Sequence, residues 1–188
     1  MRRDLDRDAF IITLEARNQR FGNKSLGAPF VAYARHENSD VQIRNYAVAA
    51  GERLEDAWSL KQFENGRYDV SVYGPNGFFR HFQGDANDPL LEITVREVSP
   101  VAGNPVREFI ELHLLSHAKQ GLVIALVDNS YGRPIAKSTI NPGKRNLLII
   151  DTAASDQWYD FSVHAEGFAQ FEKRYAGRIE TGNWGSSD

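Results

Sequence analysis

The 188-residue sequence predicts an all-β chain of two tandem antiparallel β-sandwich domains, immunoglobulin-like or related. Three observations carry this. The chain repeats itself at an offset of 91 to 93 residues, its segments alternate apolar and polar residues, and turn signals recur at short intervals with no sustained helical period.

The repeat is read in three places. Tyr68-Asp69-Val70-Ser71-Val72 returns as Tyr159-Asp160-Phe161-Ser162-Val163, at an offset of 91. Val31 to Gly51 overlies Val123 to Gly143 without a gap at 92, with Val31, Ile43 and Gly51 recurring as Val123, Ile135 and Gly143. Phe78-x-Arg80-x-Phe82-x-Gly84 recurs as Phe171-x-Lys173-x-Tyr175-x-Gly177, at 93. The drift falls in a turn, where insertions are tolerated. The polar, proline-ended stretch Asp85-Ala86-Asn87-Asp88-Pro89 then divides the chain into a first sandwich over 1–88 and a second over 89–188. Units of this size bury a modest share of their surface, so the two are expected to pack together.

Alternation assigns the strands. Tyr68, Val70 and Val72 share one face, and Asp69, Ser71 and Tyr73 the other, which describes a sheet covered on one side. Gly74-Pro75-Asn76-Gly77 supplies the preset φ of proline and two residues tolerant of positive φ, so a hairpin returns through Phe78 to Phe82. Further predicted strands begin at Phe10, Phe30, Val41, Leu90, Phe109, Leu122, Ile135, Lys144 and Phe171. The stretch from Glu52 to Phe63 comes nearest to a helical pattern, but Trp58 and its counterpart Ile150 fit a strand. Six or seven strands per sandwich follow.

Composition removes several function classes. Twenty-two basic and 25 acidic residues are well mixed, with a net charge of -3. Lys173-Arg174 with Arg178 is the nearest approach to a basic cluster and reads as a solvated strand edge, so no nucleic acid is expected as a partner. The absence of cysteine excludes disulfides, thiol catalysis and thiolate zinc sites. No apolar run approaches the roughly 18 residues of a spanning helix, and Met1 to Asp6 does not read as a signal peptide.

Three phrases resemble a known family. Arg67 to Arg80 is similar to the first-repeat hairpin of the C-terminal region of bacterial phosphocholine-specific phospholipases C. Val127-Asp128-Asn129-Ser130-Tyr131-Gly132 resembles a turn of that region's second repeat, and Trp158 to Val163 with Tyr175 to Gly182 resembles its closing segment. The resemblance covers nearly the whole chain and is loose between Phe10 and Pro29. It implies a non-catalytic accessory region of an exported phospholipase C that hydrolyses phosphatidylcholine or sphingomyelin. The region would orient or stabilise the enzyme, or aid lipid or partner binding. The implied partners are the N-terminal catalytic phosphoesterase domain of the same chain and a choline-lipid membrane surface, in an extracellular or periplasmic location. No catalytic residue, metal ligand or cofactor is carried over. The alternative is a carbohydrate- or surface-binding sandwich with no lipid role, which exposed aromatics in a row on one flat sheet would favour.

Each local candidate has a plainer reading. His113 and His117 have zincin-like spacing but lack the glutamate after the first histidine, and they read as strand-edge residues. Asp128 to Gly132 offers oxygens suited to calcium but lacks the closing glutamate of a calcium loop, and turn chemistry explains it. Asp69 and Asp160 sit at matching outward positions, where each is expected to brace its own domain, for example by accepting a loop amide. Ser71 and Ser162 lie in no nucleophile motif. Tyr73, Phe79, Tyr131, Phe168 and Trp184 lie near turns and are the candidate lipid or partner contacts, since aromatic faces attract quaternary ammonium groups and settle at bilayer interfaces.

Overall fold

The computed structural model describes residues 2–4, 8–19, 22–36, 40–98 and 108–179. Its regular elements are antiparallel strands, joined by turns and short 3-10 segments. The first half contributes β1 (Arg2–Asp4), β2 (Ala9–Glu15), β3 (Ala28–Arg35), β4 (Val41–Val48), β5 (Arg53–Ser59), β6 (Tyr68–Tyr73) and β7 (Phe79–Gly84). The second contributes β8 (Leu91–Val98), β9 (Phe109–Ser116), β10 (Leu122–Asp128), β11 (Ala136–Ile140), β12 (Arg145–Asp151), β13 (Trp158–Ala165) and β14 (Glu172–Arg178).

These strands form three sheets. One has eight strands in the order β11-β10-β13-β14-β7-β6-β3-β4, and two have three strands, β1-β2-β5 and β12-β9-β8. The long sheet takes four strands from each half and is continuous across the β7–β14 pair. Its register keeps Val70, Phe82, Lys173, Val163 and Leu126 on one face. Both small sheets cover that face, and the opposite face runs unbroken through Ser71, His81, Arg174, Ser162 and Val127. The period-two side chains seen in the sequence therefore build two sandwiches with one shared wall.

The buried face is a single apolar cluster. In the first half Phe10 stacks on Tyr68 at 4.6 Å between ring centroids and on Trp58 at 6.1 Å, joining β2 to β6 and β5. In the second half Phe161 stacks on Tyr175 at 5.4 Å, and Tyr175 meets Phe82 of the first half edge-on at 6.1 Å. Each fully buried aromatic or aliphatic side chain contributes about 1.5–3 kcal/mol. The Tyr175 hydroxyl is buried with no hydrogen-bond partner among the described residues, and its repeat counterpart is Phe82. Tyr175→Phe should therefore stabilise the chain by about 1 kcal/mol, since an unsatisfied buried hydroxyl is costly. Urea unfolding checks this, and a loss of stability would contradict it.

β5 resolves the ambiguous stretch after Glu52. Its half-buried face carries Leu54, Asp56 and Trp58, and two 3-10 turns follow at Leu60–Gln62 and Glu64–Gly66. Asp56 tolerates that face because Tyr46 Oη donates to it at 2.6 Å and Arg44 at 2.7 Å.

The register corrects the gap-free overlay of the repeat. Val72 pairs with Ala32, whereas its counterpart Val163 pairs with Leu126. β10 therefore matches β3 at an offset of 94 rather than 92, while β4 and β11 keep 92. A shift of two leaves every side chain on its own face, so the alternation alone did not reveal it.

Candidate functional site

The open face of the eight-stranded sheet gathers most of the polar side chains singled out above. In the first half Arg35 Nη1, at the end of β3, donates to Asp69 Oδ1 at 3.2 Å and to Ser71 Oγ at 3.1 Å. His81 Nε2 meets the same Asp69 oxygen at 3.0 Å. In the second half Asn129 stands where Arg35 stood. Its Nδ2 donates to Asp160 Oδ1 at 3.0 Å and Ser162 Oγ at 3.1 Å. Arg174, the counterpart of His81, grips Asp160 with two bonds of 2.8 and 2.6 Å, and Ser130 Oγ donates at 2.8 Å.

The Asp-x-Ser of each repeat is thus one brace built twice, tying three strands or a loop together. Each aspartate braces its own half, with Asp160 taking the loop side-chain amide of Asn129. The polar face is also less open than alternation predicts, because Ser71, Asp160 and Ser162 are buried beneath these partners. The His81 hydrogen bond holds Asp69 below the usual carboxylate range, against partial burial, with help from Arg35. Burial pushes Asp160 up, but the bonds from Arg174, Asn129 and Ser130 outweigh it and hold the carboxyl low.

The loop Asp128 to Gly132 is occupied by its own donors. Asp128 Oδ1 accepts the amides of Ser130 at 3.0 Å and Tyr131 at 2.6 Å, and its Oδ2 accepts Arg133 at 2.7 Å. His113 pairs with Glu111 at 2.7 Å and His117 lies 3.6 Å from Glu92. Among the described residues no group of three His, Asp or Glu is placed to hold a metal ion.

Aromatic side chains stand beside the first brace. Tyr73 is 44% exposed and lies between Tyr33, edge-on at 5.7 Å with an 80° interplanar angle, and Phe79, tilted by 50° at 5.0 Å. Phe79 stacks loosely on His81, and the Arg174 guanidinium lies 5.6 Å from its centroid. Exposed Ile43 flanks Tyr33 on β4. Tyr131 is 40% exposed in the loop after β10, under the Arg133 guanidinium at 5.4 Å. Phe168 sits in the β13–β14 turn at the opposite end of those strands, half-buried against the core. Trp184 lies outside the described residues. Of the five aromatics, the structure brings Tyr73 and Phe79 together. Tyr33, which sequence reasoning passed over, joins them because Ala32 and Ala34 on the other face commit that strand's small residues to the core.

The second notable cluster is the β7–β14 junction. Lys173 is 4% exposed, and its ammonium donates to the Tyr68 hydroxyl, to Gln83 O at 2.7 Å and to Asp88 Oδ2 at 3.3 Å. Its counterpart Arg80 crosses the other way, to Ala176 O at 2.7 Å and the Tyr159 hydroxyl at 3.0 Å. Each tyrosine also donates to a carboxylate, Tyr68 to Asp88 and Tyr159 to Glu97 at 3.2 Å.

Comparison with known proteins finds relatives of this sequence. The family model described as bacterial phospholipase C, C-terminal domain, matches residues 2–85 and 97–178. A non-hemolytic phospholipase C of Pseudomonas aeruginosa is 34% identical over 160 residues, covering 80% of this chain and 22% of that protein. A non-hemolytic phospholipase C of Burkholderia pseudomallei is 35% identical over 144 residues, covering 76% and 20%. A hemolytic phospholipase C of Pseudomonas aeruginosa is 29% identical over 147 residues, covering 73% and 19%. The chain spans about a fifth of the length of these relatives.

Proposed function

The chain belongs to the bacterial phospholipase C C-terminal domain family, and from that premise we propose that it is the non-catalytic accessory region of an exported phospholipase C. In this reading the parent enzyme hydrolyses phosphatidylcholine or sphingomyelin outside the cytoplasm, in the extracellular space or periplasm. Its chemistry resides in an N-terminal phosphoesterase domain of the same chain. The two sandwiches, divided at 88/89, present the open sheet face to a choline-lipid surface. Tyr73 and Phe79 make the contact, with Tyr33 beside them and Tyr131 at the same end of the sheet.

One observation carries this reading. The face pairs a corner of aromatic rings, Tyr73 exposed and Tyr33 and Phe79 half-buried, with carboxylates whose oxygens are already held by arginine, histidine and asparagine. Such a surface is built to be rigid and to touch. Its aromatic faces attract a compact quaternary ammonium. In the parent enzyme, Tyr73→Ala with Phe79→Ala should lower hydrolysis of phosphatidylcholine vesicles by roughly fivefold, from about 1 kcal/mol of lost cation–π and interfacial contact. Hydrolysis of a short-chain phosphatidylcholine below its micelle point should be unchanged. Equal vesicle activity in variant and parent would overturn the assignment.

The aromatic row also gives the carbohydrate-binding alternative its best support. The ring angles weigh against it. Rings crossed at 80° and 50° form a corner rather than the coplanar platform on which a flat sugar face stacks. Retention on glycan resins without vesicle binding would favour that alternative.

A further inference from the structure

We infer that β7 and β14 form a self-complementary interface that holds in trans, so that the two halves of this chain recognise one another as separate molecules. The first support is register. The antiparallel pairing sets His81 opposite Arg174, and these occupy equivalent places in the repeat. The flanking pairs then exchange roles. Arg80 faces Tyr175 and Phe82 faces Lys173, where Arg80 is the counterpart of Lys173 and Phe82 of Tyr175. Gln83 faces Glu172 and Phe79 faces Ala176, again each other's counterparts. A local twofold axis therefore passes between His81 and Arg174, as in an isologous dimer.

The second support is reciprocal contact. Lys173 crosses to Tyr68 and the Gln83 carbonyl, and Arg80 crosses to Tyr159 and the Ala176 carbonyl. Tyr68 and Tyr159 are counterparts, as are Gln83 and Ala176. Each half thus offers a cation, Lys173 buried and Arg80 half-buried, and receives one in a tyrosine–carbonyl socket. Each cation also lies against an aromatic ring of its own half: Arg80 is 4.1 Å from the Phe78 centroid and Lys173 4.4 Å from that of Phe171. Besides the paired strands, the β6–β7 turn seats on the second half, since Gly77 has no room for a Cβ beside the Trp158 ring.

The interface also disfavours one wrong pairing. Two copies of the second half would place Arg174 against Arg174 at the axis, a repulsive cross-strand pair. Pairing the two different halves places His81 there instead, with Asp69 and Asp160 neutralising either side. Of the residues joining β7 to β8, Asp88 is itself part of the Tyr68–Lys173 socket. The covalent link raises the effective concentration of one half for the other and is not what defines the contact.

The test cuts the link in the whole protein. A protease site is inserted between Ala86 and Asn87, both exposed, and the uncut chain is required to keep the parent's circular dichroism and single melting transition. After cleavage at micromolar concentration the two pieces should elute together at the mass of the uncut chain. Differently tagged cut samples should exchange halves on mixing. Arg80→Met with Lys173→Met should weaken the association of the cut halves at least a hundredfold. Should that variant fail to fold, hydrogen exchange on the cut parent protein decides, with protection expected at the β7 and β14 amides. Separation into half-mass species, or unprotected β7 and β14 amides, overturns the inference.

Discussion

Replacing Lys173 by alanine lowers the stability of the chain by about 3–5 kcal/mol, the cost of removing one partner from a buried ion pair. The substitution leaves the Asp88 carboxylate, 9% exposed, without its cation and takes a donor from the Tyr68 hydroxyl and the Gln83 carbonyl at once. It also empties the space between the Tyr68 and Phe171 rings, which lie 4.5 and 4.4 Å from the ammonium. Urea unfolding at pH 7 measures the loss. Lys173→Met combined with Asp88→Asn should cost far less, because a well-packed apolar replacement relieves the desolvation of both charges.

The same lysine gives the protein a signature in pH. Burial lowers its pKa to about 8 from the ordinary 10.5, with Asp88 pulling the other way. Between these values the unfolded chain binds more protons than the folded one. The contribution is therefore fully present above pH 10.5 and is lost as pH falls through about 8. Stability should rise from pH 8 toward 10. It should then fall, because burial holds the Tyr175 phenol above its ordinary value of 10 while the unfolded phenol ionises. Thermal melts across this range check the sequence of events. The Lys173→Met variant should lose the rise and keep the fall.

Trp58→Ala is the second large effect, at about 3–5 kcal/mol. Trp58 is fully buried, stacked on Phe10 and Phe63 at 6.1 and 6.4 Å, with the Arg44 guanidinium over its ring at 3.8 Å. Truncation leaves a cavity between β2, β4 and β5 that these neighbours cannot fill without leaving their own partners. Trp58→Phe should recover a large part of the loss. The counterpart Ile150 is smaller and also buried, so Ile150→Val should cost only about 1 kcal/mol. Chemical unfolding of the three variants compares them directly.

Much of this architecture is written in the sequence, and the reasons for the rest are local. β4 begins at Val41 and β6 spans Tyr68 to Tyr73 as alternation assigns, and Asn76 and Gly77 take the positive φ values expected of their turn, 55° and 72°. β1 has three residues, too few for an alternating pattern to announce it. β5 was obscured by Asp56, a charge on the half-buried face whose partners Arg44 and Tyr46 lie on a different strand. The repeated Asp-x-Ser was legible as a repeat. Its role as a brace was not, because Arg35 and Asn129 are chemically unlike and their equivalence appears only once the register is known. The crossing of Lys173 and Arg80 was hidden for the same reason. An alternating pattern tells which face a residue takes and says nothing of which strand will lie beside it. Tyr33 joined the aromatic row through that same lateral order.

The proposed function rests on the open face meeting choline lipid, and sedimentation of the purified chain with phosphatidylcholine vesicles tests it most directly. The account predicts that the chain pellets with the vesicles and that Tyr73→Ala with Phe79→Ala leaves it in the supernatant with its fold intact. A chain that stays in the supernatant at every lipid concentration would contradict it.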